Sequence, residues 1–389
     1  MNQKQQLALS DAYQSPIITP QECANIHTKF QLDILEVSMV PSPHACPWQL
    51  CKYCIKPDWQ TGQYHHPPLP RLTNLHHTMP LLTLTSGWAI AYTQGGDPKS
   101  DHILLFFTGI FSIGSVNYPP STVKEYGLNH LTVTLPRWGD TSPVPPSSTF
   151  TQTIIGNITT LFNHLYTDTS NLKICIVGGS FGSVPTQVIY GTSFEAFLLG
   201  RNITEMILLS PFSPFCIHKD YTKSLNWRDW ISVGPLTKYL PIPSLLTLVL
   251  KQKFKTLDSM EQTLHELVFD KMNETEKEKF AVYCWGLGTT PDEFIKTMAK
   301  DSMKSVEHGW EGYKQCAPVL YSDWGFNFPL DTEHARGKVL IRIGKKDNLG
   351  PGMGEYLVQN YANSELIIGE GSHISPIYTI NEDIVHIIS

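Results

Sequence analysis

From residue 81 onward, short apolar runs alternate with stretches that show helical periodicity. A continuous apolar run, typical of a strand buried in a parallel sheet, occurs at 103–107, and similar short runs follow at 131–135, 172–177, 206–209, 339–343 and 366–368. Helical spacing predicts helices over 151–166 and 184–199. The runs 81–85 and 88–92, joined by Ser86 and Gly87, predict a hairpin with a two-residue turn. The alternation predicts an α/β protein with a mostly parallel central sheet flanked by helices.

One long interval departs from this alternation. Between residues 209 and 339 the apolar positions follow helical spacing, as at Leu264, Leu267 and Val268. We therefore expect a helical cap over 212–330, inserted between strands of a core formed by 81–211 and 331–389. Prolines cluster in the first eighty residues, so we expect 1–80 to be an irregular N-terminal extension that contains proline, cysteine and histidine.

Composition excludes some classes of protein but indicates no chemistry. Of the 389 residues, 41% are hydrophobic and 16% are charged, which is the balance of a folded chain rather than a disordered one. The net charge of −6 argues against a protein that binds nucleic acid by neutralising phosphates. The longest apolar patch, 244–250, is too short to span a membrane, and the N-terminus lacks the apolar run of a secretory leader. We expect a cytoplasmic protein with no membrane span, and the oligomeric state stays open.

A candidate nucleophile follows the run 172–177 directly. Gly178-Gly179-Ser180-Phe181-Gly182 is a G-x-S-x-G motif between a predicted strand and a predicted helix, the context in which it forms a nucleophile elbow. Gly178 and Gly182 let the turn close, so that the Ser180 hydroxyl is held exposed above the sheet edge. The backbone N–H of Phe181 would then lie where it can stabilise an oxyanion.

A serine hydroxyl needs a base and a group that orients this base. Asp347 follows the predicted strand 339–343, and His373 follows the last strand in a glycine-rich loop. The chain order serine, acid, histidine therefore predicts a triad of Ser180, Asp347 and His373. A second oxyanion donor is expected in the loop after 103–107, where Gly109 permits a turn that directs the N–H of Ile110 toward Ser180.

These motifs together resemble the α/β-hydrolase fold with a helical cap. The resemblance covers about residues 81–389 and includes LLFFTGIFSIGS, LPRWGDTSP, VGGSFGS, RIGKKDNLGP and GEGSHISP. The segment HGWEGYKQCAPVLYSDWGFNF also resembles the end of the cap in esterase-like and proline-iminopeptidase-like members. The resemblance implies the roles given above for the triad and the two N–H groups. Two positions depart from the pattern: Thr108 stands where many members have histidine, and Ser372 replaces a common glycine. A serine at position 180 argues against hydrolases that use a carboxylate nucleophile.

The N-terminal region carries a weaker candidate site. Cys46, Cys51 and Cys54 with a nearby histidine would suffice for zinc, but only one half of a paired motif is present. We therefore expect reduced cysteines and no metal or cofactor. The glycines at 350–354 lie in the acid loop rather than at a first βα turn, so they do not predict a nucleotide site.

The expected activity is hydrolysis of a carboxylic ester, or a related acyl bond, of a small apolar molecule. Aromatic and aliphatic residues of the cap are expected in its core or lining an acyl pocket: Trp227, Trp230, Trp285, Trp310, Trp324 and 245–250. One alternative is an aminopeptidase, whose amine anchor would come from Glu261, Glu266, Glu293 or Glu307. Another is a ligand-binding pseudoenzyme on the same fold.

Overall fold

A computed structural model describes residues 79–388, apart from positions 116, 118, 331 and 332. Almost all of the predicted N-terminal extension, including Cys46, Cys51 and Cys54, therefore lies outside the described residues. We number the elements from the first one described.

An eight-stranded sheet forms the centre of the described chain. Its strands, in the spatial order β1-β2-β4-β3-β5-β6-β7-β8, are β1 (Leu81–Thr83), β2 (Ala89–Gly96), β3 (His102–Phe107), β4 (Asn129–Val133), β5 (Lys173–Gly179), β6 (Ile203–Leu209), β7 (Lys338–Gly344) and β8 (Ser364–Gly369). The strands β1 and β2 pair antiparallel to their neighbours, and β3 to β8 are parallel to one another. The predicted fold class, an α/β-hydrolase fold with a mostly parallel sheet, is confirmed.

Helices cover both faces of this sheet. Outside the interval between β6 and β7 they are α1 (Ser121–Glu125), α2 (Phe150–Leu165), α3 (Ser183–Gly191), α10 (Gly352–Asn360) and α11 (Ile380–Ile388). Successive strand residues point to opposite faces, so Ile103, Leu105 and Phe107 join one buried apolar cluster and Leu104 joins another. The continuous apolar strands of the sequence are thus explained by burial on both sides.

Between β6 and β7 the chain is helical, and we refer to the following elements as the cap helices: α4 (Trp227–Val233), α5 (Ile242–Lys253), α6 (Leu257–Leu267), α7 (Glu274–Gly286), α8 (Pro291–Ser305) and α9 (Glu311–Tyr321). A separate apolar cluster, which includes Phe254, Leu264, Phe280 and Cys284, holds several of them together. The boundaries drawn for the cap at 212 and 330 stay a prediction.

Two local predictions differ from the structure. The first hairpin has a three-residue turn, because Leu84 pairs with Trp88 and Gly87 adopts a φ of 79°. The helix predicted over 184–199 ends at Gly191. Thr192 leaves the helical conformation with a ψ of 136°, so the apolar residues that follow do not continue the helix that periodicity suggested.

The apolar residues of the cap are distributed differently from the prediction. Trp310 and Trp324 are buried, whereas Trp227, Trp230 and Trp285 are exposed. Within 245–250, Leu245, Leu248 and Val249 are exposed as well, because α5 packs inward through Pro243 and Thr247 instead. In the described part of the chain no helix combines the length and the hydropathy that crossing a bilayer would require.

Candidate active site

The turn after β5 holds Ser180 in a strained conformation. Ser180 has a φ of 51°, a region that residues with a side chain seldom adopt, and it begins a short 3₁₀ turn that leads into α3. A Cβ at Gly178 would lie 2.3 Å from the Thr186 hydroxyl oxygen, and one at Gly182 would lie 2.2 Å from the Phe107 carbonyl oxygen. Both glycines are therefore required by close packing around the turn.

The structure brings Ser180, Asp347 and His373 together at the carboxyl ends of three parallel strands. The Nε2 atom of His373 lies 2.9 Å from the Ser180 hydroxyl oxygen, and its Nδ1 atom lies 2.7 Å from Oδ1 of Asp347. Asp347 is almost wholly buried, while Ser180 and the His373 ring are partly exposed. A buried carboxylate thus orients an imidazole whose other nitrogen meets an accessible hydroxyl.

Asp347 and His373 each favour the charged form of the other. Burial alone would raise the pKa of Asp347, but the His373 charge, the hydrogen bond from His373 and further donors hold it below its ordinary value. Burial alone would lower the pKa of His373, but the Asp347 carboxylate raises it above its ordinary value. The aspartate therefore stays ionised and favours the protonated form of the imidazole.

Sequence reasoning missed Ser210, which follows β6 with a φ of 48°. Its N–H donates to the Arg342 carbonyl, and its hydroxyl donates to the His373 carbonyl oxygen at 2.9 Å. The Leu349 N–H donates to Asp347 Oδ1 at 2.9 Å. Ser210 follows β6 directly, as Ser180 follows β5, and that position is the one signal that could have indicated it.

Glu276 is a second missed residue, and it belongs to the cap helix α7. Its side chain closes a capping box with Asn273, and its Oε1 atom also accepts a hydrogen bond from the Ser372 N–H at 2.8 Å. The Tyr378 hydroxyl donates to the same oxygen at 3.3 Å. A buried carboxylate of the cap therefore fixes the backbone next to His373.

The loop after β3 approaches the nucleophile as predicted for an oxyanion loop. A Cβ at Gly109 would lie 3.2 Å from the Ser180 Cβ, so glycine permits this approach. Ile110 is exposed, and Phe111 adopts a φ of 55°. The Phe111 ring lies among aromatic rings of the core and of the cap, with centroid distances from 4.9 to 5.9 Å: Trp138, Phe254, Trp310 and Tyr313.

The structure places a further carboxylate, Asp229 of α4, near the imidazole. Its charge contributes to the raised pKa of His373, while burial and the Asp347 charge raise the pKa of Asp229 itself. The Asn226 side chain donates to Asp229 at 2.8 Å, and the Asn226 backbone N–H donates to the Asn348 carbonyl at 3.3 Å. The first turn of α4 is thus tied to the acid loop.

Three of the four glutamates considered as amine anchors are engaged elsewhere. Glu266 pairs with Lys253, Glu293 belongs to the capping box of α8, and Glu307 pairs with Lys304. Glu261 has a buried Oε1 atom without a hydrogen-bond partner among the described residues. The structure therefore gives the peptidase alternative a different carboxylate, Asp229, near the triad.

The remaining candidate sites have structural explanations. In the acid loop, Cβ atoms at Gly350 and Gly352 would lie 2.6 Å and 2.3 Å from oxygens of Ser224, so these glycines permit close packing of the loop. Within the described residues, one group of side chains could chelate a metal: Asp140, Glu307 and His308. The Lys304 ammonium group already bonds to both carboxylates of that group, so a cation is not required there.

Comparisons with known proteins return structures rather than sequence relatives. No protein-family model and no curated protein matches the chain. A carboxylesterase structure from the thaumarchaeon Nitrososphaera gargenis is 15% identical with a TM-score of 0.48, covering 79% of this chain and 98% of that one. An esterase from Exiguobacterium antarcticum is 15% identical with a TM-score of 0.47, covering 80% and 100%. The 2-hydroxy-6-oxo-6-phenylhexa-2,4-dienoate hydrolase from Rhodococcus sp. strain RHA1 is 15% identical with a TM-score of 0.44, covering 80% and 98%. Similarities of this size carry no argument about activity or substrate.

Proposed function

We propose that this protein is a serine hydrolase that cleaves a carboxylic ester, or a related acyl bond, through an acyl-enzyme. The observation that carries the proposal is His373, whose two ring nitrogens lie 2.9 Å from the Ser180 hydroxyl and 2.7 Å from the Asp347 carboxylate. A partly exposed serine in a strained turn is the arrangement that such a nucleophile requires.

The geometry supports a two-stage reaction. The Ser180 oxygen attacks the carbonyl carbon while His373 Nε2 takes the hydroxyl proton, and Asp347 stabilises the resulting imidazolium. The negative charge on the carbonyl oxygen is stabilised by the N–H groups of Phe181 and Ile110. His373 then gives its proton to the leaving group. In the second stage His373 activates a water molecule, which hydrolyses the acyl-enzyme and restores the serine.

An aminopeptidase is the second candidate, and Asp229 favours it. A carboxylate near His373 could pair with the free amine of a peptide substrate, the role first expected of the cap glutamates. An ester without a cationic group has no partner for this carboxylate. Comparing p-nitrophenyl acyl esters with aminoacyl p-nitroanilides separates the two. At a pH well above the His373 midpoint, where a lower pKa of His373 no longer changes the rate, Asp229→Asn should reduce only anilide hydrolysis if the amine anchor is correct.

The decisive experiment is labelling with a fluorophosphonate, which reacts with an activated serine. We expect labelling of the wild-type chain, none of Ser180→Ala, and hydrolysis of p-nitrophenyl esters at a rate that depends on acyl length. Ser193→Ala is the control, because Ser193 is an exposed serine outside the nucleophile turn. Labelling that persists in Ser180→Ala would contradict the proposal. An unlabelled wild type that still binds acyl ligands would support the pseudoenzyme alternative.

A further inference from the structure

An apolar surface lies on the outside of the cap. We define the outer cap face as the exposed large apolar side chains within 227–249: Trp227, Trp230, Ile231, Leu236, Tyr239, Leu240, Leu245, Leu248 and Val249. They are nine of the seventeen such side chains in the described part of the chain, and Tyr239 is 83% exposed. The helices α4 and α5 contact each other and the 3₁₀ turn between them, so these residues share one region. Exposed apolar surface on this scale indicates a binding surface.

The helix α5 shows that this exposure follows a regular pattern. Leu245, Leu248 and Val249 are spaced by three and four residues, so they form a single stripe, and all three are about 60% exposed. The inward side holds Pro243 and the buried Thr247. A surface helix of a globular protein normally has polar residues on its outer side. Here the outer side carries an apolar stripe as well, in addition to the inward Leu250, which packs against the apolar cluster of the cap.

Basic residues accompany the outer cap face. The segment 219–255 contains seven lysines or arginines and two aspartates, a net charge of +5 in a chain whose net charge is −6. The Arg228 guanidinium group lies over the Trp227 ring at 5.3 Å, and Lys251 and Lys253 lie in the last turn of α5, where Lys253 pairs with Glu266. The surface therefore combines apolar contact area with a positive charge opposite in sign to that of the whole chain.

We propose that the outer cap face binds the surface of a lipid bilayer that contains anionic headgroups. Tryptophan and tyrosine suit the boundary between headgroups and acyl chains, and leucines beside them enter the acyl region. Lysines and arginines around such a face are attracted to anionic lipids. A second copy of the chain fits less well, because the two segments 219–255, each with a net charge of +5, would repel each other. The binding is peripheral, since none of the described helices can cross a bilayer.

Docking would place the candidate active site close to the membrane. Asp229, whose charge acts on His373, and Asn226, which bonds to the acid loop, both belong to the first turn of α4 or its cap. The same short helix carries Trp227 and Trp230 on its exposed side. If the proposed hydrolase function is correct, an acyl substrate dissolved in the bilayer could pass directly to Ser180. The binding itself does not depend on that function.

The test is co-sedimentation of the full chain with vesicles, either of phosphatidylcholine alone or with about 30% phosphatidylserine. We expect binding to the anionic vesicles that weakens as salt rises. Leu245→Glu with Leu248→Glu should lower the partition coefficient at least about tenfold, and Lys251→Gln with Lys255→Gln should lower it on the order of tenfold. Val282→Glu is the matched control, because Val282 is 63% exposed on α7 and should leave binding unchanged. Circular dichroism and the Tm would verify that each variant folds.

Three results would overturn the proposal. They are no binding of the wild-type chain, binding that persists in both double variants, and a dimer that dissociates in the Leu245→Glu and Leu248→Glu variant without any vesicle binding. Ser180→Ala should bind vesicles as the wild type does while losing fluorophosphonate labelling. A failure of the lipid proposal is thereby distinguishable from a failure of the proposed hydrolase function.

Discussion

At the scale of single residues, His373 depends on groups from distant parts of the chain. Asp347 holds one ring nitrogen, Ser210 bonds to the His373 carbonyl, and Asp229 of the cap adds negative charge nearby. Each of these acts on the position or the pKa of one imidazole. The charge near His373 and the position of its loop can therefore be tested separately.

The pH profile should report the charge of Asp229. Only neutral His373 can accept the serine proton, so kcat/KM rises as pH increases through the pKa of His373. Because that pKa is raised, the midpoint should lie above the ordinary value of 6.5. Asp229→Asn removes one negative charge and should move the midpoint to lower pH, with the triad hydrogen bonds retained. Asp220→Asn, at an exposed ion pair, is the control. A midpoint that does not move in Asp229→Asn would contradict this electrostatic role.

Glu276 should act as a positioning residue. Glu276→Ala leaves the Ser372 N–H without its acceptor, so the loop that carries His373 can shift. We expect kcat to fall about 10- to 100-fold with little change in KM, because misplacement of a catalytic group reduces the rate steeply. Glu276→Gln keeps an acceptor oxygen and should recover much of the loss. Glu274→Ala, at an exposed position of the same helix, is the control. Equal losses in the alanine and glutamine variants would indicate that the charge itself is needed.

At the scale of elements, the elbow between β5 and α3 requires two particular glycines. A Cβ at Gly182 would lie 2.2 Å from the Phe107 carbonyl oxygen. Neither the backbone of the elbow nor that of β3 can shift easily to relieve this contact. Gly182→Ala should therefore lower the free energy of unfolding by at least about 2 kcal/mol. Gly179→Ala is the matched control, since nothing lies within 4 Å of its added Cβ. Thermal and urea unfolding would compare the two. Equal stabilities would show that the elbow can relax.

The elements also show how far the sequence alone could predict this molecule. Ser180, Asp347 and His373 each follow an apolar strand, and strand ends in a parallel sheet share one edge, so their meeting could be predicted. Glu276 could not, because it bonds to Ser372, 96 residues away, through packing of the cap. The place of Asp229 could not be predicted either, because it also depends on packing of the cap. Periodicity located the cap helices, but it could not tell which apolar side chains face solvent.

At the scale of the whole molecule, the C-terminal helix α11 closes one face of the sheet. Ile380, Ile384 and Ile387 pack into the apolar cluster that contains Leu340 of β7. Beside them, the fully buried Asp383 carboxylate accepts a hydrogen bond from the Arg342 side chain. The Arg342 carbonyl in turn accepts the N–H of Ser210 at the candidate site. This ion pair therefore joins the helix α11 to a strand that supports the candidate active site.

Breaking this ion pair should destabilise the molecule strongly. The Arg342 side chain is 13% exposed, and Asp383→Ala removes the carboxylate that pairs with it. We therefore expect a loss of about 3–5 kcal/mol in the free energy of unfolding. Asp220→Ala removes a pair whose partners are 75% and 68% exposed, and it should cost less than about 1 kcal/mol. The double variant Arg342→Met with Asp383→Leu removes both charges and should regain most of the loss. Urea unfolding of all three variants measures these differences. A double variant as unstable as Asp383→Ala would show that packing of α11, rather than an uncompensated charge, sets the stability.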